Sequence, residues 1–225
     1  AFLSRPARWL RAFHRYRGTV GAAPNFAYEL AAAKISDEEI QDLDLTSWRA
    51  ALNGAEPVLP ATLDRFASRF ARCGFRREVF LPVYGLAEAS LAVTIPPVGR
   101  EPRVDVIERA AFETEGRAVR ARTDAAGSTF TLNASSEAWN PPETKATNVI
   151  SFVSAGPPVP QHEVRMANDR GESAGERVEG QLWFRGPSAT QGYFKNDSDT
   201  AALFPQGVAA GWVNSGDRVY QADGE

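Results

Sequence analysis

"EVFLPVYGLAEASLAVT", from Glu78 to Thr94, runs mostly apolar through Tyr84, turns at Gly85 and then sets one carboxylate, Glu88, among small residues. Its first seven residues read as a buried strand, preceded by the "CGFR" turn and closed by Gly85. Upstream, helix and strand patterns alternate. Pro60 suits the first turn of a helix that places Leu63, Phe66, Ala67 and Phe70 on one face and Arg65, Arg69 and Arg72 on the other. Before it, "SWRAALNG", Ser47 to Gly54, reads as a short strand ending in a glycine turn. Earlier still, Pro6 opens a helix through Trp9, Leu10 and Phe13, and Asn25 reads as the cap of "FAYELAAAK". This alternation predicts an α/β fold, a parallel sheet with helices packed on it.

The pattern changes downstream. Between Ile95 and Asn148, "PPVGREP", "DAAGST" and "NPPET" interrupt the chain and leave "RVDVIE" and "AVRAR" as strands, so this stretch reads as an insertion. From Val149 the short runs "VISFVS", "EVRMA" and "GQLWFRG", parted by Gly, Pro and Asn, predict antiparallel structure in a small β-barrel-like subdomain. The expected organisation is an α/β region over 1–94, an insertion over 95–148 and a β subdomain over 149–225.

The 225 residues, 43% hydrophobic, suffice for a buried core. A net charge of −3 offers no long-range attraction to nucleic acid, and the arginines from Arg5 to Arg17 read as the solvated face of an amphipathic helix. Cys73 is the only cysteine, which excludes an internal disulfide and a cysteine metal cluster and fits a reducing compartment. With His14 and His162 the only histidines, zinc hydrolysis is a poor fit. No apolar run reaches the ~20 residues of a membrane span. A cytoplasmic protein without integral membrane association is expected.

Two turns follow apparent strands, "LNGAEP" after Leu52 and "YGLAE" after Val83, and in an open parallel sheet such turns converge on a ligand crevice. Tyr84 offers a flat face to a planar group, and Gly85 lets backbone approach a ligand closely. Glu88 either coordinates a hard cation such as Mg²⁺ beside phosphates or occupies a helix's first turn, where the dipole favours it by about 0.3–1 kcal/mol. Asp217, in "GWVNSGDRVY", either accepts ribose hydroxyls or forms a turn with its own backbone. Asn25 and Phe26 either shape a pocket or serve as cap and core. Other signatures fail: there is no G-x-G-x-x-G loop or Walker A sequence, "AAGSTFT" has no partner lysine, and no serine occupies a nucleophile elbow.

In order, "APNFAYEL", "LDLTSWRAALNGAEPV", "YGLAEASL", "GQLWFRGPSATQGYF" and "GWVNSGDRVYQADGE" resemble the adenylate-forming superfamily of acyl-CoA synthetases, and within it the fatty acyl-AMP ligases. The resemblance implies activation of a fatty acid with ATP as an acyl-adenylate, followed by transfer to a thiol. It implies that Gly54, Ala55 and Glu56 form the adenine edge, that Tyr84 packs on the purine with Gly85, Leu86 and Ala87 beside it, and that Asp217 holds the ribose. Glu88 would be the Mg²⁺-associated glutamate, and Asn25 and Phe26 would line the acyl substrate. Ala87 stands where many superfamily members have threonine, and "SGDR" replaces the more usual "TGDL"; the "YGLAEA" form is typical of fatty acyl-AMP ligases. The segment after this motif resembles the one that disfavours CoA in those enzymes, which implies an acyl carrier protein as acceptor. An acyl-CoA synthetase and a non-catalytic nucleotide-binding module are the alternatives. The family's phosphate loop and lysine-bearing C-terminal domain have no counterpart in these residues, so the chain is expected to be a fragment of the large domain with little adenylation activity of its own.

Overall fold

Three short apolar runs build the sheet that carries the rest. A computed structural model describes residues 2–121, 148–168 and 171–225. Helix α1 (Ala7–Tyr16) leads to β1 (Val20–Ala23), α2 (Asn25–Lys34), β2 (Ala50–Asn53), α3 (Pro60–Phe70) and β3 (Phe80–Pro82). The strands are parallel in the order β1-β2-β3, with Ala22 opposite Leu52 and Leu52 opposite Leu81. Pro60 lies in the first turn of α3, where its missing N–H costs no helical bond. Leu63, Phe66 and Phe70 on that helix are fully buried.

Aromatic side chains fill the space between sheet and helices. Phe66 meets Trp9, Tyr28, Trp48, Phe70, Phe75 and Phe80 at ring-centroid distances of 4.6–6.4 Å. Phe13 stacks on Trp48 at 3.8 Å. Two polar tips in this core are satisfied by backbone: Tyr28 Oη donates to Leu52 O at 2.8 Å, and Trp48 Nε1 to Ala50 O at 2.9 Å.

Past β3 the chain turns back on itself, with Tyr84 bridged to Thr94. Strand β4 (Val104–Glu108), from "RVDVIE", is followed by α4 (Arg109–Glu115) and pairs antiparallel with β5 (Val149–Val153), Glu108 facing Val149. Among the described residues, "AVRAR" contributes an isolated bridge from Arg120 to Ile107. The "DAAGST" and "NPPET" breaks lie outside the described residues. Strands β6 (Glu163–Ala167), β7 (Gly180–Arg185) and β8 (Val213–Val219) form a second antiparallel sheet, with α5 (Asp197–Leu203) between β7 and β8.

The antiparallel strands expected of the barrel-like subdomain are present, without a closed barrel among the described residues. Among the described residues the antiparallel strands form one two-stranded and one three-stranded sheet, with β7 central in the latter and no pairing that closes it. On this sheet the Arg165 guanidinium meets two tryptophan rings, Trp183 at 4.6 Å and Trp212 at 4.4 Å.

Candidate active site

The ends of β2 and β3 lie side by side: Asn53 pairs with Pro82, and Val83 N donates to Asn53 O at 2.8 Å. The two turns singled out in the sequence therefore leave the sheet together. A Cβ on Gly54 would sit 2.7 Å from Val83 O, so the first turn accepts only glycine at this crossing. Ala55 then takes a left-handed φ of 66°, and Glu56 reaches back so that Oε1 accepts the Phe26 backbone N–H. Glu56 and Phe26, one assigned to the adenine edge and the other to the acyl wall, thus meet at one turn.

Asn25 is not the cap expected from the sequence. Pro24 holds the cap position, Asn25 is the first residue of α2, and its side chain makes no capping bond. It is buried, Nδ2 donating to Thr62 Oγ1 at 3.2 Å and Oδ1 accepting from Asn53 Nδ2 (3.3 Å) and Leu59 N (3.2 Å). Tertiary polar partners within α3 and β2 outcompete the local cap bond, and the network fixes the start of the Gly54 turn. Asn53 Oδ1 is buried there without a partner among the described residues.

The second turn is built on Gly85. A Cβ at this position would lie 1.7 Å from Leu91 O, closer than any real contact. The returning strand is bonded at Tyr84 N to Thr94 O (3.2 Å) and at Val93 N to Tyr84 O (2.9 Å). Between them Leu86 is extended, and Ala87–Ala89 form a 3-10 turn with Glu88 in its first turn. Ala89, Val93, Phe184, Leu203, Phe204 and Val213 form a small core beneath this hairpin, and Tyr84 and Leu86 pack against it. That core joins the hairpin to β7, α5 and β8.

The joining brings Tyr84 and Asp217 together across 133 residues of sequence: Tyr84 Oη donates to Asp217 Oδ2 at 2.6 Å. Burial above all, then the bond to Asp217 and the charges of Asp217 and Glu88, holds the Tyr84 phenol above its ordinary value of 10. Glu88 belongs to the same hairpin, in the turn between Tyr84 and the returning Val93–Thr94 strand. Asp217 is not bonded to its own turn in the manner of a turn former; that role falls to Asn214 Oδ1, which accepts from Gly216 N at 3.0 Å, and to Ser215 Oγ, which accepts from Asp217 N at 3.1 Å.

Several partners were not visible in the sequence. Tyr193 Oη donates to Glu88 Oε1, Thr190 N to Glu88 O at 2.7 Å, and Ser188 Oγ to Ala89 O at 2.8 Å. These residues flank Gly192 in "GPSATQGYF", a motif noticed only for its resemblance. Cavities of about 390 Å³ (Asp37, Glu38, Ile40, Gln41, Arg72) and 230 Å³ (Thr19, Val20, Arg49, Ala50, Val98) open elsewhere and include none of the cluster.

Among the described residues no group of three or more His, Cys, Asp or Glu forms a metal cage. Glu88 keeps one carboxylate oxygen, Oε2, outside its bond with Tyr193, and a hard cation such as Mg²⁺, which takes one or two carboxylates together with phosphate and water oxygens, would fit that donor.

Residues 1–194 match the family model described as AMP-binding enzyme. This chain belongs to that family. Among relatives of this chain, the JamA medium-chain-fatty-acid [acyl-carrier-protein] ligase of Moorena producens is 34% identical over 231 residues, covering 100% of this chain and 36% of that protein. A structure from work on fatty acyl-adenylate ligases of E. coli and L. pneumophila superposes with a TM-score of 0.83 at 34% identity, over 99% of this chain and 36% of that one. The L. pneumophila fatty acyl-adenylate ligase in complex with acyl adenylate and pyrophosphate also gives 0.83, at 28% identity over 100% of this chain and 36% of that one. The chain spans about a third of the length of the curated relatives it matches. None of its described helices is long and apolar enough to cross a membrane.

Proposed function

We propose that this chain is part of a fatty acyl-AMP ligase, which activates a fatty acid with ATP and passes the acyl group to the thiol of an acyl carrier protein. The observation that carries the reading is the Tyr84–Asp217 hydrogen bond, which brings two sequence signals 133 residues apart, the "YGLAE" turn with Glu88 and the "SGD" turn, into one cluster. The names of the relatives, an acyl-carrier-protein ligase and fatty acyl-adenylate ligases, agree with it.

In this reading a fatty carboxylate oxygen bonds the α-phosphorus of ATP while the α–β anhydride breaks and pyrophosphate leaves. The carrier thiol then takes the acyl carbon, releasing AMP and a proton. Gly54, Ala55 and Glu56 border the adenine; Tyr84 faces the purine, with Gly85, Leu86 and Ala87 along the same turn; and Asp217 receives the ribose hydroxyls. Phe26 borders the acyl chain, and Asn25 supports that wall through its bonds to Thr62 and Asn53. Glu88 would hold Mg²⁺, which supplies partial neutralisation of phosphate charge. Because ordered positioning of reactants accounts for much of such a barrier, the isolated chain, about a third of its relatives' length, is expected to have little activity alone.

Titration of the full-length protein with a lauroyl-adenylate analogue tests the reading. Asp217→Ala should weaken binding by about 10–100-fold, the loss expected for hydrogen bonds to a charged acceptor. Unchanged affinity in Asp217→Ala and Tyr84→Phe alike would remove the assignment. Supplying CoA and carrier protein in parallel decides the acceptor, efficient acyl-CoA formation counting against the carrier.

A further inference from the structure

The Glu88 carboxylate is held by a residue from a distant loop. Tyr193 Oη donates to Glu88 Oε1 across 105 residues, although the Tyr193 residue is 42% exposed, so burial of the ring does not explain its place. The Tyr193 backbone is anchored in turn: its N–H donates to Thr200 Oγ1 at 2.9 Å, and Thr200 Oγ1 donates to Asn196 O at 2.8 Å, at the start of α5. The same loop grips the Glu88 turn by its backbone, through Thr190 N to Glu88 O, Ser188 Oγ to Ala89 O, and Ser90 Oγ to Ser188 O at 3.1 Å. Glu88 Oε2 has no hydrogen-bond partner among the described residues.

A surface glutamate ordinarily samples many rotamers, and a ligand that needs one of them binds more weakly by the fraction of time that rotamer is absent. Here the turn is fixed by its main chain and one carboxylate oxygen by a phenol, while the other oxygen is left to a ligand. We propose that Tyr193 is a positioning residue for Glu88, holding Oε1 so that Oε2 meets the divalent cation that accompanies the nucleotide. The inference rests on the adenylate-forming reading of the site given above. It assigns Tyr193 no contact with substrate.

Tyr193→Phe removes the hydroxyl and keeps the ring. In the full-length protein this variant should raise the Mg²⁺ concentration for half-maximal, fatty-acid-dependent ATP–pyrophosphate exchange by about tenfold, the lower range for loss of an outer partner of a metal ligand. The KM for the fatty acid should stay at the wild-type value. A purely structural tyrosine would instead lower the thermal midpoint and leave the Mg²⁺ dependence alone. Adding Tyr193→Phe to Glu88→Gln should change the Mg²⁺ dependence no further; an additive effect, or an unshifted Tyr193→Phe, overturns the proposal.

A readout free of turnover is calorimetric titration of the full-length protein with Mg²⁺ in the presence of a non-hydrolysable ATP analogue. Tyr193→Phe should weaken that Mg²⁺ binding by about tenfold, and an unchanged affinity overturns the proposal. Wild-type protein with no acid-dependent exchange would refute the functional reading, and the positioning role with it, whatever the titration shows.

Discussion

Replacing Gly85 with alanine places one methyl group where the hairpin has no room. The new Cβ would lie 1.7 Å from Leu91 O, 2.7 Å from Leu91 C and 2.8 Å from Ala92 Cα. All three atoms are backbone, so no side chain can swing aside. Ordinary contact begins at 3.4 Å, which requires the returning strand to retreat by roughly 1.7 Å. A shift of that size breaks the bonds Tyr84 N to Thr94 O, Val93 N to Tyr84 O and Thr94 N to Tyr84 O. At about 1 kcal/mol each, their loss costs about 3 kcal/mol, matching the upper range for overpacking. For a chain of this length that corresponds to a fall of about 6–12 °C in Tm. Thermal unfolding of the 225-residue chain, followed by tryptophan emission, reads the change. Gly175→Ala is the control, since its Cβ would meet only Val178 Cγ2 at 4.0 Å, and it should stay within about 0.5 kcal/mol of wild type. A Gly85→Ala chain that melts with the wild type would show that the hairpin yields freely and refute the reasoning.

The core and the phenols give further outcomes. Phe66→Ala, at a fully buried ring touching six other aromatics, should cost about 3–5 kcal/mol, and a shift of the urea midpoint equivalent to less than about 1 kcal/mol would contradict the packing described. Tyr28, Tyr84 and Tyr220 are each held neutral by burial, with carboxylate hydrogen bonds adding to the effect at Tyr84 and Tyr220. Their folded values exceed the unfolded value of 10, so stability from this source is complete below pH 10 and falls as pH rises beyond it. Circular dichroism with absorbance at 295 nm should show these tyrosines ionising together with unfolding; ionisation near pH 10 in an intact fold would count against their burial.

Much of the first half was legible because local pattern and tertiary role agree there. Phe80 and Leu81 are apolar and buried, Pro60 opens α3, and the spacing of Leu63, Phe66 and Phe70 matches the face that packs. Asn25 was misjudged because cap preference is a local rule, while its real partners, Thr62, Asn53 and Leu59, stand 28–37 residues away. The antiparallel runs were recognisable as strands, but barrel closure depends on pairing between edges that no single run encodes. Tyr193 was hidden for the same reason. Its place in the motif is visible, its reach to Glu88 is not.

The ladder between β4 and β5 works as a clasp that the chain fastens twice. It joins residues 104–108 to residues 149–153, and the chain is held again beyond it, Glu108 N donating to Val119 O at 2.8 Å and Ala121 N donating to Val106 O at 2.9 Å. Ala118, beside those bonds, is buried, and its N–H donates to Arg177 O at 2.8 Å. A residue gained or lost between 116 and 121 would therefore shift a register and turn side chains to the wrong face, where the same change in an unpaired loop would only alter its length.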